Sequence, residues 1–88
     1  MKVTYDTAFK REYKAWQKKN LGKDELLIDA INLFIVNPFH PLLRTHKLKG
    51  KLKDCYAFTV AYDLRIIFYF EDSDHAVLIA LGTHDEVY

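Results

Sequence analysis

Apolar positions first recur along the chain at helical spacing. Phe9, Tyr13 and Trp16 are four and three residues apart, so they share one face of a helix that Asp6 or Thr7 is placed to cap. Lys10, Lys14 and Lys18 fall on another face, and Asn20 to Gly22 supply the stop. A second helix is predicted from about Lys23 to Val36, because Leu27, Ala30, Ile31, Phe34 and Ile35 follow the i, i+3, i+4, i+7, i+8 pattern before Asn37-Pro38 ends it. Leu26, Ile28 and Leu33 lie off that stripe. The apolar arc is therefore wider than one contact needs: the helix is packed on two sides, or it leaves a patch for a partner.

Lys2 to Thr4 reads as a short strand ahead of the first helix, and from Cys55 the period shortens again. Cys55 to Ala61, Leu64 to Phe70 and Ala76 to Leu81 are β-rich runs divided only by Tyr62-Asp63 and by Glu71 to His75, which implies antiparallel hairpins. Tyr56, Phe58 and Val60 share the face expected to meet the helices; Cys55, Ala57, Thr59 and Ala61 share the other. Phe39 to Lys53, with Pro41 and Gly50, has no sustained period and reads as a connecting segment. The expected fold is α+β in the order β-α-α-β-β-β, two N-terminal helices packed on one face of a curved antiparallel sheet, as a single domain over residues 1–88.

Composition agrees with a packed core: 50% of residues are apolar, 15% aromatic and 28% charged, which excludes disorder as a description of the whole chain. No apolar run approaches the ~18–20 residues that span a bilayer. Met1-Lys2 opens into Val3-Thr4-Tyr5-Asp6 without an apolar leader, and Cys55 is the single cysteine, so a cytoplasmic protein is expected.

The net charge of +1 hides a strong segregation. Residues 1–53 carry twelve Lys/Arg against five Asp/Glu, a net +7, whereas residues 54–88 carry one Arg against seven acids, a net −6. The densest stretch, Arg44 to Lys53, holds Arg44, Lys47, Lys49, Lys51 and Lys53 with His46 and no acid. Either it binds a polyanion or it is a solvated loop.

Most enzyme signatures are missing. There is no Gly-rich phosphate loop, no recognisable Ser-His-Asp spacing and no helical pair of carboxylates, and His40, His46, His75 and His84 lack the spacings of a zinc site, so no metal or cofactor is expected. What remains is His46 in the basic loop, Asp63 and Arg65 astride a hairpin, and His84 and Tyr88 in the C-terminal segment. Arg65 interrupts an apolar strand and is the only basic residue after Lys53; it needs a structural carboxylate such as Asp63, or an external anion. Alone, His84 on an ending strand reads more often as an ordinary surface residue, and Tyr88 equally as a packing aromatic. Together the set suits RNA cleavage by the neighbouring 2′-hydroxyl, which needs a base, an acid and cations for the developing charge. An aromatic such as Tyr88 would stack on a base.

His46-Lys-Leu-Lys-Gly50, Tyr56-Ala-Phe-Thr-Val-Ala-Tyr-Asp-Leu-Arg-Ile-Ile-Phe68 and Leu81-Gly-Thr-His-Asp-Glu-Val-Tyr88, in that order, resemble the RelE/ParE toxin superfamily, most closely its RelE/StbE and YafQ-like branches. The resemblance implies a toxin of a type II toxin-antitoxin system, an mRNA interferase that acts in the ribosomal A site. It also implies an antitoxin, expected over helix two and the basic loop. His46, Asp63, Arg65, His84 and Tyr88 match the family's catalytic positions, with Arg44, Lys47, Lys49, Lys51 and Lys53 as RNA-binding candidates. Two positions depart from the YafQ-like pattern: Thr59 stands where a second histidine is found, and Leu64 where an aromatic often follows the aspartate. The alternatives are a ParE-like, non-nucleolytic gyrase inhibitor and a catalytically degenerate toxin.

Overall fold

The structure, a computed structural model, describes residues 1–87. Their order is β1 (Lys2–Tyr5), α1 (Thr7–Lys19), α2 (Asp24–Val36), β2 (His46–Lys47), β3 (Tyr56–Ala61), β4 (Leu64–Asp72), β5 (His75–Gly82) and a one-turn α3 (His84–Val87). Short 3-10 turns at Pro41–Leu43 and Gly50–Leu52 flank β2.

Both long helices end where their residue chemistry directs. Asp6 caps α1 by accepting the Thr7 N–H at 2.8 Å, and at the other end the Asn20 side chain donates to the Trp16 carbonyl. Asp24 and Glu25 occupy the first turn of α2, where the helix dipole favours carboxylates. Its Leu27, Ala30, Ile31 and Phe34 are buried at the predicted spacing.

The strands form one sheet in the order β1-β5-β4-β3-β2. Pairing is antiparallel except between β1 and β5, which run parallel. The expected all-antiparallel sheet is corrected at that edge: α1 and α2 intervene between β1 and the rest, and a connection this long allows a parallel return. A second correction concerns Phe39 to Lys53, which is not wholly a loop, because His46–Lys47 adds a two-residue edge strand to β3.

α1 lies over β5 and α2 over β3. Phe34 of α2 is fully buried, with its ring stacked on Phe58 of β3 at 4.5 Å and meeting Phe68 of β4 edge-on at 4.7 Å. This places the large face of β3 against the helices. Leu33 also packs partly on the core, whereas Leu26 and Ile28 are 45% and 47% exposed, so only part of the extra arc on α2 is open. Among the described residues no helix is long and apolar enough to cross a membrane.

Phe34 joins both layers, so Phe34→Ala is expected to cost about 3–5 kcal/mol, a large share of the stability of a domain this size. Urea unfolding followed by circular dichroism measures it; a loss below about 1.5 kcal/mol would remove Phe34 from its central place.

Candidate active site

Strand register builds the site. In the β2–β3 pair His46 stands opposite Ala57 and Lys47 opposite Tyr56, so the two neighbouring side chains leave opposite faces of the sheet. Lys47 falls on the Tyr56 face with the helices. His46 falls on the other face, where the register of β3, β4 and β5 aligns Thr59, Arg65 and Gly82 in one cross-strand row. The result is a cleft of about 450 Å³ lined by Arg44, His46, Thr59, Tyr62, Asp63 and Arg65.

His46 Nδ1 lies 3.0 Å from the Arg44 carbonyl oxygen. A carbonyl only accepts, so Nδ1 carries the proton and Nε2 is left as the basic nitrogen of the neutral ring. Arg44 presents that carbonyl from a left-handed conformation, φ 51°, at the end of the preceding 3-10 turn.

Arg65 has the structural carboxylate that a lone strand arginine requires. Its Nη1 donates to Asp63 Oδ1 at 3.0 Å, with 26% of the Arg65 side chain exposed. Asp63 occupies the β3–β4 turn at φ 58°, a conformation Asp tolerates better than most residues. The same Oδ1 accepts the His84 backbone N–H at 3.3 Å, so one carboxylate links the hairpin, the arginine and the start of α3.

α3 is held by two residues that the sequence pattern did not single out. Thr83 and Glu86 form a reciprocal capping box: Glu86 Oε1 accepts the Thr83 N–H at 2.8 Å, and the Glu86 N–H donates to Thr83 Oγ1 at 3.4 Å. Thr83-His-Asp-Glu86 carries the Thr-x-x-Glu signature, so the signal was available. The preceding residue must be small: a Cβ at Gly82 would lie 3.0 Å from Glu86 Cβ and 3.1 Å from Val87 Cγ1.

His84 is therefore tied to the cleft through its backbone, while its exposed ring has Nδ1 3.8 Å from Asp85 Oδ1, an ion pair when the ring is protonated. It does not line the cleft itself. Tyr88 lies outside the described residues. Lys47, Lys49, Lys51 and Lys53 are exposed around the Gly50–Leu52 turn and line no part of the cleft, which Arg44 does.

The other histidines have structural partners. His40 Nδ1 accepts the Leu42 N–H and caps the first 3-10 turn, and His75 Nε2 pairs with Thr4 Oγ1 at 2.7 Å between β5 and β1. Burial, then the Asp54 carboxylate, pushes the Cys55 thiol up, which keeps it protonated and a poor nucleophile. Among the described residues no three His, Cys, Asp or Glu side chains gather as a metal site.

The capping box has a pH signature. Accepting the Thr83 backbone N–H, and secondly the Thr83 side-chain hydrogen bond, holds the Glu86 carboxyl below the usual carboxylate range. A lowered folded value means that this contribution is complete above the unfolded carboxylate pKa of about 4.3 and is lost as pH falls through the folded value. The Thr83 amide resonance is expected to titrate below that range in the native chain and to stay still in Glu86→Gln. A native Thr83 amide that is flat across acidic pH would count against the capping box.

A family model described as a bacterial toxin of a type II toxin-antitoxin system, YafQ, matches residues 1–88. Comparison with curated proteins yields no match. Among solved structures, a copper-bound mutant toxin from Helicobacter pylori superposes with a TM-score of 0.83 at 24% identity, covering 100% of this chain and 99% of that one. YafQ from E. coli superposes with a TM-score of 0.81 at 19% identity, covering 98% and 96%. The YafQ-containing DinJ-YafQ complex of E. coli gives 0.74 at 18% identity, again covering 98% and 96%. At these identities the superpositions establish the shared fold, and the full-length family match establishes kinship: the chain belongs to the YafQ family of bacterial type II toxin-antitoxin toxins.

Proposed function

We propose that the protein is an endoribonuclease that cleaves mRNA in the ribosomal A site, with Arg44, His46, Asp63 and Arg65 in its cleft and His84 joined to that cleft through its backbone. The observation that carries this reading is the His46–Arg44 hydrogen bond, which leaves Nε2 as the proton acceptor on a side chain that shares a cleft with two guanidinium groups.

In the proposed reaction His46 Nε2 takes the proton from a ribose 2′-hydroxyl, whose oxygen attacks the adjacent phosphorus. Arg65 and Arg44 meet the charge that develops on the phosphorane oxygens. The bond from phosphorus to the 5′-oxygen then breaks, and protonated His84 supplies that oxygen with its proton, leaving a 2′,3′-cyclic phosphate and a 5′-hydroxyl. Asp63 acts as the positioning residue, since its Oδ1 is occupied by Arg65 and the His84 N–H. Tyr88 is assigned base stacking. Thr59, directly opposite Arg65, has a hydroxyl but no side-chain base, so the proton acceptor falls to His46.

Lys47, Lys49, Lys51 and Lys53 are assigned to phosphates of mRNA or rRNA outside the cleft. An antitoxin is assigned to the exposed part of α2 and the same basic loop. A groove of about 220 Å³ there is lined by Leu26, Ala30, Leu33, Leu42 and Val60 among others, and Leu42 is 75% exposed. An amphipathic segment with acidic residues would cover both the groove and the lysines, its ordering entropy offset by the buried area. The solved complexes DinJ-YafQ from E. coli and YoeB-YefM from Staphylococcus aureus, on the same fold, support the existence of a protein partner.

Inducible expression followed by mapping of mRNA 5′ ends tests the nuclease reading. The wild-type chain is expected to create new ends inside translated codons, and His46→Ala, His84→Ala and Arg65→Ala each to reduce them ~100-fold or more while circular dichroism stays native. Growth arrest without new ends would favour the gyrase-binding alternative, which has no use for an acid-base cleft.

Cosedimentation with ribosomes over a salt series tests the lysines. Replacing all four by Gln is expected to weaken binding and flatten its salt dependence, by about 0.7–0.9 in slope for each phosphate no longer neutralised. An unchanged slope would return the cluster to a solvated loop.

A further inference from the structure

Tyr62 is 100% exposed, the most exposed of the large apolar side chains among the described residues. It sits in the β3–β4 turn immediately before Asp63, whose carboxylate anchors that turn to Arg65 and α3. Leu64, on the other side of Asp63, is buried in the core. The turn therefore presents one aromatic ring to solvent from a backbone that is pinned by hydrogen bonds.

Two clefts meet at this turn. Tyr62 and Asp63 line the cleft of Arg44, His46 and Arg65, and they also line a second one of about 410 Å³ that contains Glu12, Trp16, Lys19 and Glu86. The first is furnished for a phosphate. The second is not, because carboxylates from Glu12, Asp63 and Glu86 outnumber its one lysine there. Glu12 and Glu86 are also held in place, Oε1 of the former accepting the Leu81 N–H at 3.0 Å and Oε1 of the latter the Thr83 N–H. A polynucleotide with its reacting phosphate beside Arg65 would present a nucleobase to the ridge, where a neutral ring avoids the carboxylates that would repel a second phosphate.

We propose that Tyr62 is a stacking platform for a nucleobase next to the cleaved phosphate, a substrate-positioning residue that sets how the mRNA strand crosses the β3–β4 turn. This rests on the nuclease reading above. A tyrosine suits the task because it offers a wide π-face with few rotors to freeze, and stacking tolerates any base.

The probe is an mRNA on a ribosome with a vacant A site, carrying 2-aminopurine in the A-site codon and 2′-O-methyl groups that block cleavage. Toxin binding is expected to quench the 2-aminopurine, Tyr62→Ala and Tyr62→Leu to abolish the quench, and Tyr62→Phe and Tyr62→Trp to restore it. On cleavable mRNA, Tyr62→Ala is expected to raise KM ~10-fold, within the range measured for loss of one stacked base, with kcat changed less. The ring is fully exposed, so thermal melting should not move. If wild-type toxin cleaves but quench and KM are the same in Tyr62→Ala, this proposal falls and the nuclease reading stands. A loss of ribosome affinity with the quench intact would mean that Tyr62 touches protein or rRNA instead, which also overturns it. If the wild-type chain neither quenches nor cleaves, both readings fall together.

Discussion

Oδ1 of Asp63 is the atom on which the arrangement of the cleft depends. It accepts from Arg65 Nη1 and from the His84 backbone N–H, so two groups far apart in the chain meet on one oxygen. Arg65 interrupts a strand in which Ile66, Ile67 and Phe68 are all buried, and an arginine there would be costly without a charge partner. The partner also sets where the guanidinium stands. The turn that presents Asp63 needs a left-handed residue, and Asp satisfies both demands because its short side chain tolerates that conformation.

Beyond this node, the site owes its order to being the reverse side of the core. Phe58 and Ile66 face the helices while their neighbours Thr59 and Arg65 face the cleft, so the packing that holds Phe34 on Phe58 also holds the opposite face in register. Side chains carried on paired strands are positioned more tightly than side chains on free loops. The cleft accordingly combines residues separated by long stretches of sequence without relying on a flexible lid.

The two long helices were legible almost to the residue, because Leu27, Ala30, Ile31 and Phe34 of α2 keep a helical period and Asn37-Pro38 marks its end. The three long strands were legible as β-rich runs divided by short connectors. What could not be read was set by geometry that local pattern does not encode. A two-residue strand such as β2 has no period, and the parallel return of β1 depends on where the helices deposit the chain. Arg65 was readable as needing an anion, but the choice between Asp63 and an outside phosphate waited on the Nη1–Oδ1 distance of 3.0 Å. The Thr83–Glu86 capping box was written in the sequence, yet a Thr-x-x-Glu spacing ahead of a single helical turn lacks the apolar run that usually marks a helix start. Tyr62 carried no such signal, because exposure is a property of the fold.

The charge segregation acquires a meaning from β2. The cleft is floored by β3 and β4, which come from the acidic half of the chain, and the one basic residue they bring to it is Arg65. Arg44 and His46 come from the basic half, delivered across the sheet edge by two residues of pairing and by the Leu48 N–H bond to the Cys55 carbonyl. Register decides everything in so short a strand, since a slip of one residue would send His46 to the helix side and Lys47 into the cleft. Burial guards against the slip: Leu43, 2% exposed, anchors the turn before β2 in the core, and Thr45 Oγ1 donates to the Pro38 carbonyl. The apolar anchor upstream thus determines which side chain of an exposed, charged segment faces the cleft, and a proton acceptor arrives there instead of a fixed positive charge.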